Sequence, residues 1–231
     1  TLFLLRAYPQ PYGWLPDGAR AAPGEIASIS GTPLAEAVRS RFFKSVTFGY
    51  IFALGAQVGG ALQLVKLVEE RTDRSTATLA TIVLSTMSII SRFAAGRIIP
   101  KINMTRFTVG LAGLQGVSLA SLGLVNNRIG LLVVIGLFGV TIGNMVMMQS
   151  LLLAERFGVR DYPKIAARSG LISFSGTALG PLLLGWLYDV AGGYRSSYLA
   201  AGACSIIGAV LFSFAGSASV TSFEVAPKIS E

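Results

Sequence analysis

Apolar residues fall along this chain in six long runs separated by short polar breaks. A helix rises about 1.5 Å per residue, so about 20 mostly apolar residues cross the roughly 30 Å hydrocarbon core of a bilayer. By that measure the runs are spans at 46–68, 77–99, 107–125, 129–153, 166–187 and 197–216. The polar breaks at 69–74, 126–128 and 192–195 are too short to hold a domain, so consecutive spans are antiparallel neighbours. The predicted fold class is an all-α membrane protein, a six-transmembrane-helix bundle over 45–216 followed by a tail at 217–231.

Composition agrees. The 231 residues are 52% hydrophobic and 13% charged, with mean hydropathy +0.65. A soluble domain needs about a quarter of its residues charged to cover itself. With no histidine and the single Cys204, His-based catalysis, an intrachain disulfide and CxxC metal sites are excluded. No GxxxxGK[ST] loop is present, so ATP-driven transport by this chain is not expected. No enzyme activity, cofactor or metal is expected.

The net charge of +8 would suggest nucleic acid in a soluble protein. Its distribution suggests a lipid bilayer instead. Thirteen Lys and Arg fall in the segments on one side of the spans and five on the other. Cytoplasmic loops carry the basic excess, so both termini are expected in the cytoplasm.

Residues 1–44 differ from the rest. Leu2 to Leu5 is an apolar stub too short to span, and Pro9, Pro11, Pro16 and Pro23 follow with several glycines. That composition predicts the end of a preceding helix and a cytoplasmic linker. With no initiator Met and no signal peptide, the sequence is expected to be a fragment that follows a lost N-terminal part.

Between helices in lipid, small residues permit close approach. GxxxG pairs occur at Gly55 and Gly59, Gly139 and Gly143, and Gly176 and Gly180. Ser169 and Ser173 extend the last row along one face, and Pro181 is expected to bend or loosen that helix.

Ionisable residues inside a membrane are costly and mark pathways, which singles out Arg92. Thr81, Ser85, Ser88 and Arg92 share one helical face, while Ile82, Ile89 and Phe93 are apolar. A hydroxyl stripe ending in a guanidinium suits a wet cavity with an anion site, because the planar fork fits a carboxylate. The competing reading has Arg92 snorkelling to the interface. Tyr50 and Gln57 in the first span, and Asn144 and Gln149 in the fourth, either line the same cavity or bond between helices. Gln115 in the third span reads as structural and Lys66 as a snorkelling cation.

Several motifs resemble the major facilitator superfamily, in particular the C-terminal six-helix half of a twelve-helix transporter. Leu-Arg-Ala-Tyr-Pro-Gln-Pro-Tyr-Gly-Trp-Leu-Pro-Asp-Gly at 5–18 is similar to that family's exit from its sixth helix. Arg-Phe-Ala-Ala-Gly-Arg-Ile-Ile-Pro-Lys at 92–101 resembles the second copy of its Gly-x-x-x-Asp-Arg loop motif. Glu-Arg-Phe-Gly-Val-Arg-Asp-Tyr at 155–162, with Ala-Leu-Gly-Pro-Leu-Leu-Leu-Gly-Trp-Leu-Tyr-Asp at 178–189, resembles monocarboxylate-transporter-like and oxalate:formate-exchanger-like members. The loop motif keeps Gly96, the adjacent Arg97 and the basic Lys101, but its acidic position is Pro100.

The resemblance implies a plasma-membrane secondary transporter whose two halves rock about a shared site. Monocarboxylate-like relatives carry an acid four positions before the equivalent of Arg92, where this chain has Ser88, which speaks against proton coupling through that helix. Exchanger-like relatives carry a Lys in the fifth span, which has none here, so one carboxylate suits the site better than two. The expected solute is a small organic anion such as a monocarboxylate, and the expected partners are that solute, the bilayer and a missing N-terminal six-helix half. A multidrug or apolar-solute exporter and a non-transporting membrane scaffold are the alternatives.

Overall fold

The computed structural model describes residues 31–218. The stub at 2–5, the proline-rich part of the linker, the motif at 5–18 and nearly all of the tail lie outside the described residues. A short helix α1 (Leu34–Arg39) leads into six long ones: α2 (Arg41–Arg71), α3 (Arg74–Ile98), α4 (Met104–Leu124), α5 (Arg128–Phe157), α6 (Tyr162–Ala191) and α7 (Tyr194–Ser213). A 3-10 turn, Ile99–Lys101, prolongs α3. The described residues contain no strand, and all six long helices have the length and apolar content to cross a membrane. The chain is an all-α, multi-pass membrane protein.

Most helices run past the predicted apolar spans at one or both ends. Backbone hydrogen bonding continues through polar residues that leave the hydrocarbon, so hydropathy marks the membrane and not the helix end. The linker expected to reach residue 44 is therefore helical from Leu34 to Arg39 and again from Arg41. Ser40 divides the two, donating to the Ala37 carbonyl at 2.6 Å and accepting from the Phe43 amide at 3.1 Å. Side chains also start three later helices: Asp73 accepts from Thr76 N, Asn103 from Arg106 N and Asn127 from Gly130 N. Gly192, at φ 69°, ends α6 in the left-handed conformation that favours glycine. The α6 helix passes Pro181 unbroken.

The packing has a repeating plan. α2 packs chiefly on α6 and α7, and α5 packs in the same way on α3 and α4, while α4 and α7 pack on each other. Exchanging α2 for α5, α3 for α6 and α4 for α7 reproduces these pairings. The three-helix units run in opposite senses through the bundle, since α2 and α5 are separated by an odd number of crossings. An inverted repeat gives these pairings.

Glycines set the crossings. A Cβ on Gly176 would collide with the Ile51 carbonyl, and one on Gly180 with that of Gly55, so α2 and α6 are in backbone contact. At the α3/α5 crossing, a Cβ on Gly139 would lie 2.7 Å from the Leu84 carbonyl, and one on Gly143 would collide with that of Ser88. All three GxxxG pairs thus lie at helix crossings. Two apolar clusters fill the interior, one around Phe43, Tyr50, Phe157 and Phe212, the other around Leu67, Leu119, Phe138 and Tyr198.

Candidate functional site

Burial divides the helices sharply. The apolar stretches of α3 and α6 are 17% and 22% buried, against 44 to 56% for the other four. These two helices present broad outward faces, and the sequence-predicted hydroxyl stripe lies on one of them. Thr81, Ser85 and Arg92 are exposed and Ser88 is half-buried. The stripe begins beside α2, where Thr78 and Thr81 share a crevice with Val65 and Glu69. From there it follows the flank of the α3/α5 seam to Arg92.

Arg92 Nε donates to the Gly143 carbonyl of α5 at 2.8 Å. That bond is possible because Gly143 has no side chain to hold the helices apart at the seam. It holds the guanidinium across α3 and α5. Among the described residues, its two terminal amino groups make no hydrogen bond or ion pair. The fork is therefore held at one nitrogen and open at the other two, on an exposed helix face. Such an arrangement can accept a carboxylate in bidentate fashion.

The other four candidates, Tyr50, Gln57, Asn144 and Gln149, are buried. Tyr50 is 0% exposed, its ring tilted against that of Phe212 with centroids 4.8 Å apart, and its hydroxyl faces Thr108 but makes no hydrogen bond of normal geometry. Gln57 is 4% exposed and its amide oxygen is unpartnered. Gln149 donates to Ser169 Oγ at 3.1 Å and Ser173 Oγ at 2.9 Å, and Ser169 Oγ meets Thr47 Oγ1 at 2.9 Å. These bonds tie α2, α5 and α6 together, and both amide hydrogens of Gln149 are used.

Asn144 lies at the same seam as Arg92 but on its other flank. Its Nδ2 donates to Ser91 Oγ at 3.1 Å and to the Val140 carbonyl, while its buried Oδ1 has no partner. Ser91, one position from Arg92, is the polar residue that sequence reasoning passed over. Its signal is the i, i+3 spacing from Ser88 along the packed flank of α3.

Gln115 is fully buried, donating to the Ala53 carbonyl at 2.8 Å and to Ser205 Oγ at 3.0 Å. It joins α2, α4 and α7 and serves structure. In the loop motif, Gly96, Arg97 and Lys101 are exposed, and a Cβ on Gly96 would meet open space. Among the described residues the one ion pair is Lys164 with Asp161 at 2.9 Å. No protein-family model and no curated protein matches this chain.

Proposed function

We propose that this bundle is one half of a secondary transporter of the major facilitator kind, carrying a small organic anion such as a monocarboxylate. The observation that carries the reading is Arg92, pinned through Nε to Gly143 with both terminal amino groups open on the exposed face of α3. Thr81, Ser85 and Ser88 extend a hydroxyl track from it along the same helix. The inverted repeat in the packing supports the superfamily, since such repeats place solute sites near the bilayer midplane.

In this reading the outward faces of α3 and α6 meet a second six-helix bundle, and rocking between the two exposes the Arg92 face to either side in turn. The close glycine crossings of α2 with α6 and α3 with α5 let this half move as one body. The basic end of the bundle, with the α1/α2 junction and the α5–α6 connection, faces the cytoplasm of a plasma membrane. Asn144 belongs to the scaffold beside Arg92 through Ser91, and Gln149 to the bonds that tie α2, α5 and α6, not to the solute contact.

Binding of labelled short-chain monocarboxylates to the purified protein tests this, with dicarboxylates as comparison. Arg92→Lys keeps the charge and loses the fork, so affinity falls; Arg92→Gln lowers it further. A charged hydrogen bond is worth about 1.5–3 kcal/mol, so roughly 10- to 150-fold in affinity is at stake. Ser88→Ala gives a smaller loss. Unchanged affinity in Arg92→Gln at matched folded levels removes the anion site and favours an exporter of apolar solutes.

A further inference from the structure

Two cavities meet at Arg106, in the first turn of α4. One, about 430 Å³, brings polar side chains together at the start of α4 and the end of α7, Asn103, Thr105, Arg106, Ser213 and Ser217, beside Val109 and Gly216. The other is an apolar groove of about 530 Å³ between α3, α4 and α5, running from Arg106 and Ile98 to Met87 and Leu114. From Ile98 to Met87 it rises about 16 Å along α3 at 1.5 Å per residue. A cation between a polar chamber and a long apolar groove, at one end of a membrane bundle, has the shape of a site for an amphiphile.

The polar chamber favours an anion. The first backbone N–H groups of the 21-residue α4 have no carbonyl partner within the helix and carry its positive dipole end. Thr105 lines the chamber, is 5% exposed, and its buried hydroxyl has no partner. Among the described residues the Arg106 side chain makes no ion pair, and no acidic residue lines either cavity. The surrounding charge agrees. At this end of the bundle the described residues include ten Lys and Arg against three acids, whereas the opposite end has five against four.

We propose that this site holds an anionic phospholipid, with its phosphate at Arg106 and Thr105 and one acyl chain in the α3/α4/α5 groove. Asn103, whose Oδ1 caps the Arg106 amide at 3.0 Å and whose Nδ2 donates to Ser217 Oγ at 3.2 Å, braces the chamber. The assignment is independent of the solute carried at Arg92, which is on the other flank of the α3/α5 seam.

Lipid binding to the purified full chain, counted by native mass spectrometry, tests the proposal. The probes are dioleoylphosphatidylglycerol, dioleoylphosphatidylcholine and sn-glycerol 3-phosphate. Phosphatidylglycerol is expected to bind in preference to phosphatidylcholine, and Arg106→Gln to weaken it on the order of tenfold. Thr105→Val, of similar shape, weakens it less. Lys44→Gln, which removes an exposed cation of the same end outside both cavities, leaves it unchanged. A Cβ on Gly110, which lines the groove, meets open space, so Gly110→Leu puts side-chain volume into the groove and weakens lipid binding. Unfolding midpoints measured without lipid show that each variant is folded. Phosphatidylglycerol binding unaffected by both Arg106→Gln and Gly110→Leu overturns the site. Glycerol phosphate binding as tightly as the lipid, and indifferent to Gly110→Leu, overturns the lipid assignment in favour of a soluble anion.

Discussion

The Arg71 guanidinium at the end of α2 closes the C-terminus of α4, its Nη1 donating to the Val125 carbonyl at 2.6 Å. The same nitrogen also reaches the Leu122 carbonyl, and Nη2 donates to that of Gly123 at 3.1 Å. The last carbonyls of a helix have no intrahelical donor, and a cation there also opposes the negative end of the dipole. Arg71 thus fastens the end of α2 to the end of α4, and Gln115 joins the same two helices in their interior.

Arg71→Gln is expected to lower stability by about 1.5–3 kcal/mol, the range for charged hydrogen bonds whose carbonyl partners are left behind. Arg71→Lys should recover only part, because an ammonium is a point donor and lacks the spread of the fork. Denaturant unfolding of the purified protein in detergent measures both. Equal stability of all three proteins would show that water caps α4 as well as Arg71 does.

The glycine crossings give a second expectation. Gly180→Ala places a methyl against the Gly55 carbonyl and must push α6 from α2, at an expected cost of about 1–3 kcal/mol for overpacking. Gly113→Ala, where a Cβ meets open space, should be neutral or slightly stabilising. Thermal unfolding of the pair checks it, and a Gly180→Ala variant as stable as wild type would contradict the backbone contact.

Hydropathy alone located all six helices, because no other segment supplies about 20 apolar residues in a row. The rows of small residues also marked real crossings, since spacing of four places them on one face. A face does not name its partner, however. Nothing in the sequence pairs Gly139 with Leu84, or Gly180 with Gly55. The contact that defines Arg92 was equally hidden, because its acceptor is the backbone carbonyl of Gly143, and a carbonyl has no sequence signature. For Gln149 the sequence left solute contact and helix bonding open, and the serines of α6 that occupy its amide lie 20 and 24 residues away. The hydroxyl stripe of α3 was legible as a face, but only packing shows that it is exposed.

Asp161 gives a pH dependence. Its Oδ1 accepts from Lys164 Nζ at 2.9 Å and its Oδ2 from the Leu34 amide at 3.1 Å, and these bonds hold its carboxyl below the ordinary aspartate value of 3.8. A depressed carboxylate stabilises the folded state fully above its unfolded value and stops doing so as pH falls through the lower folded one. The docking of α1 on the α5–α6 connection should therefore be constant from neutral pH down to about pH 5 and weaken below 3.8. Hydrogen exchange of the Leu34 to Arg39 amides reads this out. In Asp161→Asn, whose side chain at 161 does not titrate, protection should be lower and should lose the fall below 3.8 that Asp161 causes.

Orientation is the remaining expectation, and it follows from charge. The end of the bundle holding α1 and the α5–α6 connection carries ten described cations against three acids, and the other end five against four. Basic loops resist translocation, so the first end should stay in the cytoplasm. Val159 and Asn126 are exposed residues in connections at opposite ends, and neither side chain caps a helix. With native Cys204 replaced by Ala, Asn126→Cys should react with an impermeant thiol reagent added outside intact cells. Val159→Cys should react only after permeabilisation. The reverse pattern would invert the topology and place the phospholipid site in the outer leaflet, where anionic lipid is scarcer. Labelling of both positions from outside would mean that the chain inserts in two orientations, which the surplus of basic residues at one end argues against.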